Sequence, residues 1–71
     1  MDITHSYYLR IIATGQNKKH WRVKNAIRFI NQEISELRFN ALNKIGGQFC
    51  QYYMNREANH IEKMLRYALE Q

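Results

Sequence analysis

Val23–Ile45 reads VKNAIRFINQEISELRFNALNKI. Its apolar residues Val23, Ile27, Ile30, Ile34, Leu37 and Ala41 alternate four and three apart, which draws one narrow stripe down the side of an α-helix. No Pro or Gly interrupts the stretch, and Gly46-Gly47 follows it. The spacing predicts a helix of about twenty residues, roughly 30 Å long. Asn25 is the expected N-cap, and the glycines should end the helix by taking up left-handed φ. The stripe must then be buried against something.

The next apolar pattern supplies a partner. Phe49, Cys50, Tyr53, Met54, Ile61, Met64, Leu65 and Ala68 again fall at threes and fours, so a second helix is expected from about 48 to 69. Two long helices joined by so short a turn run antiparallel. Glu62 and Arg66 form an i,i+4 pair in the favourable order.

Residues 2–14 can be read two ways. As a helix, Ile3, Tyr7, Tyr8, Ile11 and Ile12 share a side, with Asp2 or Thr4 as N-cap and Gly15 just past the end. As a strand, Tyr8 and Ile12 would pair back across a 14–19 loop with His20-Trp21-Arg22-Val23-Lys24, which alternates apolar with basic. The weak helix propensity of Thr, Ser, Tyr and Ile tips the balance toward the hairpin. So does the crowding of Lys18, Lys19, Arg22 and Lys24 at the positive end of any helix beginning near Asn17. The expected fold is therefore mainly α: an antiparallel helical hairpin (25–45 and 48–69) with an N-terminal β-hairpin or short helix. It forms one small domain over 1–71, with 1–24 a basic element and 25–71 the helical hairpin.

A chain of 71 residues buries only about 60% of its unfolded surface, and natural domains of this size usually recruit disulfides, a metal or a partner subunit. The single cysteine, Cys50, excludes an intrachain disulfide and, with no apolar leader-like run near the start, suggests a reducing, cytoplasmic setting. The most apolar run, Tyr7–Ala13, contains Arg10 and is too short to cross a bilayer. Phe29, Phe39, Leu42, Tyr52, Tyr67 and Leu69 lie off the two seams, so a homodimer, two hairpins forming a four-helix bundle, is expected.

The net charge of +5 is unevenly placed. Arg10, Lys18, Lys19, Arg22, Lys24 and Arg28 lie between residues 10 and 28, where there is no Asp or Glu. From residue 29 onward basic and acidic residues balance. Such asymmetry points to a polyanionic partner. In Asn17–Asn25 the cations would neutralise phosphates and Trp21 could stack on a base. The favoured reading of Trp21 itself, as the only Trp, is a core anchor fixing the N-terminal segment. The spacing is not that of a helix-turn-helix, and the helices are too long for a ribbon-helix-helix.

Catalytic chemistry finds little support. Cys50 has no nearby His and reads as a small buried thiol. Ser6 and Ser35 lack the context of a nucleophile elbow, and Gly46-Gly47 does not follow a strand as a phosphate loop would. Glu57-Ala58-Asn59-His60 is a Glu-x-x-His, which carboxylate-bridged metal bundles use. Folding about the glycines would set Glu33 beside His60 and Glu36 beside Glu57. Glu33, Glu57 and His60 are thus the metal candidates, outweighed by ordinary interhelical pairing. No cofactor is implied. The expected function is a small non-enzymatic regulator binding nucleic acid through Arg10, Lys18, Lys19, Trp21, Arg22, Lys24 and Arg28. The rival is a protein-interaction module (adaptor, inhibitor or antitoxin-like) docking on a larger protein through exposed aromatic and basic residues.

Overall fold

The computed structural model describes residues 4–71 as three α-helices, with no strand among them: α1 (Thr4–Thr14), α2 (Trp21–Leu42) and α3 (Gly47–Glu70). The stripe that predicts α2 is the face it buries. Val23, Ile30, Ile34 and Ala41 are buried and Ile27 and Leu37 half-buried. α3 packs antiparallel on it through Ala58, Ile61, Leu65 and Ala68. Ile12, Ile30 and Ile61, one from each helix, are the largest wholly buried side chains, each worth about 1.5–3 kcal/mol of burial.

The N-terminal β-hairpin is not formed; residues 4–14 are helix. A strand burying Tyr8 and Ile12 would also turn Arg10 inward, because strand side chains alternate. In the helix Leu9 and Ile12 face the core and Arg10 stays exposed, while Tyr8 stacks on Phe29 with ring centroids 4.2 Å apart. Burial of two branched side chains outweighs propensity deficits of a few tenths of a kcal/mol per residue. Of the expected caps and core positions, Asp2 and Ile3 lie outside the described residues, and Thr4 is already the first helical residue.

Helix α2 begins four residues before Asn25. His20, extended at φ −63° and ψ 142°, caps it by accepting the Arg22 N–H on Nδ1 at 3.2 Å. Starting early brings Val23 and Ala26 into the core. Arg22 and Lys24 remain near the positive helix end, with no acidic residue in that turn, and both are exposed to water.

The far end of α2 also differs from expectation. The helix stops at Leu42, before the glycines. Lys44 takes the left-handed φ of 54°. Its N–H bonds to the Ala41 carbonyl, and the Ile45 N–H reaches back to Asn40 at 3.0 Å, the paired bonds of a Schellman closure. Gly46 and Gly47, at φ 79° and 89°, then turn the chain into α3.

Helix α1 runs antiparallel to α2 and covers only its first half. His5 Nδ1 lies 3.8 Å from Glu33 Oε2 near the middle of α2, and Gly15 abuts Val23 near its start. The three-helix core ends at Ile34 and Leu37 on α2 and at Ala58 on α3. Beyond it the hairpin continues as a two-helix arm, in which Ala41 is the only fully buried side chain among the described residues. The molecule measures 41 × 18 × 17 Å, with the α1–α2 loop and the arm's turn at opposite ends. No helix among the described residues is long and apolar enough to cross a membrane.

Candidate nucleic-acid interface at the loop end

The basic residues gather where α1 hands over to α2, but not all of them are available to a ligand. The Lys18 ammonium donates to the Gly15 carbonyl at 2.8 Å and to the Ile12 carbonyl. These are free acceptors at the C-terminal end of α1, where a cation is favoured by the helix dipole. Lys18 is half-buried there and serves as the cap of α1 rather than as an outward phosphate contact.

Lys19, Trp21, Arg22, Lys24 and Arg28 are exposed. Trp21, Lys24 and Arg28 are spaced i, i+3 and i+7, so they lie along one outward side of α2. Trp21 is 68% exposed, and its indole sits 5.7 Å from the His20 ring. The expected core-anchor role of Trp21 is overturned: Val23 and Ala26 take the inward positions of that turn. Arg22 points to the α1 side, where with His20, Gln16, Asn17, Thr14 and Gly15 it lines an open groove of about 470 Å³. Arg10 lies on α1 a turn before Thr14 and does not line that groove. Fold and charge together thus concentrate Lys19, Trp21, Arg22 and Lys24 at one end, extend them along α2 through Arg28, and leave Arg10 apart.

Two residues that charge counting passed over help to build this end. His20 is the α2 cap, and Asn17 folds the loop by accepting the Lys19 N–H on Oδ1 at 2.9 Å while its carbonyl accepts the His20 N–H at 3.1 Å. The sequence signal for Asn17 was present, since Asn commonly folds turns through its own side chain. For His20 there was little, because His is not among the strong N-cap types.

The metal candidates are not assembled. Glu57 is exposed, and the buried residue of that turn is its neighbour Ala58. Glu33, Glu36 and Glu57 line a hollow of about 240 Å³ with His5, Leu37, Asn40 and Ile61. His60 instead lines an outer hollow with Tyr53, Arg56 and Glu57. No group of three His, Cys, Asp or Glu among the described residues could hold a metal ion. Cys50, expected to be buried, is exposed, as are Phe49 and Tyr53.

The chain is thus a three-helix unit with a basic loop end and a two-helix arm that ends in the α2–α3 turn. Comparison with protein-family models, curated proteins and solved structures finds no match.

Proposed function

We propose that the chain is a small non-enzymatic regulator that holds nucleic acid by its phosphate backbone at the α1–α2 loop end, acting as a homodimer. The observation that carries this reading is the exposure of Trp21 in line with Lys24 and Arg28, at a helix start with no acidic residue in its first turn. Cations neutralise phosphates, and an exposed indole offers a stacking face that is tolerant of sequence. Lys19 and Arg22 flank that line. Contacts of this kind position a strand without reading bases, so sequence preference is modest.

Four outward cations, Lys19, Arg22, Lys24 and Arg28, set the expected salt dependence. At about 0.9 per neutralised phosphate, log affinity for duplex falls by about 3.6 per tenfold rise in salt for each copy engaged. Fluorescence anisotropy of labelled duplex and single-stranded probes across a salt series measures it. Absence of binding to either probe at low salt removes the reading.

A second reading, a module docking on a larger protein, is favoured by a separate observation: Phe39, Leu42, Phe49 and Tyr52 are all more than 60% exposed at the turn end of the hairpin. A stoichiometric complex with one protein that survives nuclease treatment, in the absence of any nucleic-acid affinity, would establish it instead.

A further inference from the structure

The turn end of the hairpin plays no part in the proposed nucleic-acid site. Phe39, Leu42, Ile45, Phe49, Tyr52 and Tyr53 are 66, 79, 55, 73, 61 and 52% exposed. They occupy the last turns of α2, the connecting turn and the first turns of α3. Phe49 and Tyr52 both stand edge-on to Tyr53, with centroids 4.9 and 5.5 Å away. With roughly 150–250 Å² for each large side chain, the six present on the order of 700 Å² of largely apolar surface. The largest patch on a typical monomer is about 300–600 Å².

Area and charge both identify the occupant. Two such tips, if wrapped so that all six side chains on each are covered, would bury up to about 1,400 Å², within the roughly 1,200–2,000 Å² of a stable specific interface. From Phe39 to Tyr53 the single charged residue is Lys44, so the tip offers a polyanion almost nothing. It also lets two chains of net charge +5 approach where they repel least. In a molecule 41 Å long, the basic loop ends then lie several screening lengths apart, since that length is about 8–10 Å at ordinary salt.

We propose that a second copy of the chain docks here, tip against tip, with the ends of α2 and α3 from both copies forming a short four-helix bundle. The basic ends then point away from each other at opposite poles. On the nucleic-acid reading above, on which this consequence rests, the dimer bridges two separate strands or duplexes instead of presenting one doubled patch. The docking itself does not depend on that reading.

The test is sedimentation velocity of the full chain, without nucleic acid, over about a hundredfold range of concentration. Concentration-dependent dimer is expected, weakened at least about tenfold in the Leu42→Glu/Phe49→Glu variant. Both side chains are exposed, and unchanged far-UV circular dichroism verifies the fold. A short bis-maleimide provides a readout on the unaltered chain: Cys50, the only cysteine, is exposed at the tip, so tip-to-tip docking yields a covalent dimer. A monomer at every concentration, or a dimer insensitive to the double variant, overturns the proposal. A dimer that forms as expected and binds a single duplex or strand but does not co-capture two differently labelled ones overturns the bridging arrangement; a dimer that binds neither probe removes the nucleic-acid reading and leaves the docking standing.

Discussion

Gly15→Ala should destabilise this protein, although replacing a loop glycine by alanine ordinarily helps. Gly15 is the first residue past α1, and the basic loop departs from it. A Cβ built there falls 2.5 Å from Val23 Cγ2 and 3.0 Å from the Ile11 carbonyl oxygen. Carbon atoms prefer about 3.5–4.0 Å, so either the methyl or the helix must move by about 1 Å. Val23 is 4% exposed and β-branched, with essentially one χ1 rotamer available in a helix. It cannot swing aside. Overpacking of this kind costs about 1–3 kcal/mol, against a gain of about 0.4–1 kcal/mol from the stiffer unfolded chain. The net expectation is a loss of about 1–2 kcal/mol, which in a domain of this size lowers Tm by roughly 5–15 °C.

Urea titration followed by far-UV circular dichroism, at one fixed protein concentration, measures the loss; the fixed concentration matters because association shifts apparent stability. A double-mutant cycle isolates the cause. Val23→Ala removes Cγ2 and by itself costs about 2 kcal/mol. On that background Gly15→Ala should cost little or nothing, giving a coupling energy of about 1 kcal/mol or more. A stabilising Gly15→Ala, or a cycle with no coupling, would show that helix contact does not dictate glycine here.

Three further outcomes follow from particular contacts. Lys18→Met removes the ammonium from the Ile12 and Gly15 carbonyls and should cost about 1–2 kcal/mol while leaving the salt slope of nucleic-acid binding unchanged; a slope reduced by about one would make Lys18 a phosphate contact after all. Trp21→Ala should leave stability within about 0.5 kcal/mol, as expected of an exposed side chain, yet weaken single-strand binding about five- to 150-fold, the worth of one stacked base. Lys44→Gly relieves a left-handed non-glycine residue and should stabilise by about 1 kcal/mol in the same urea assay; a loss would mean that the lysine side chain contributes something the backbone does not show.

Much of the helical hairpin was legible because its signals are local. The alternation from Val23 to Ala41 and the glycine pair need no knowledge of distant residues. The Glu62–Arg66 pair, found at 3.7 Å, is equally local, being one turn apart. The long-range contacts of Arg38 with Asn59 at 3.2 Å and with Glu62 at 3.4 Å could not be read in this way. They depend on the relative rotation of two helices. The scattering of the metal candidates has the same origin, since α3 is turned so that Ala58 faces inward and Glu57 and His60 are exposed.

What the amino-acid order determined by itself was the existence of two long amphipathic helices, their antiparallel return and the confinement of excess charge to residues 10–28. Periodicity, turn chemistry and charge are properties of neighbouring residues. Only the tertiary structure decided that residues 4–14 are helical, that Lys18 caps α1, and that Trp21, Phe49 and Tyr53 stand outside while Ala26, Ala58 and Ala68 lie inside. Where three helices meet, small side chains let the backbones approach. Tyr8 and Phe29 then pack against that core, while Trp21 is left exposed at the loop end and Phe49 and Tyr53 at the turn end, a choice that no single helix could make.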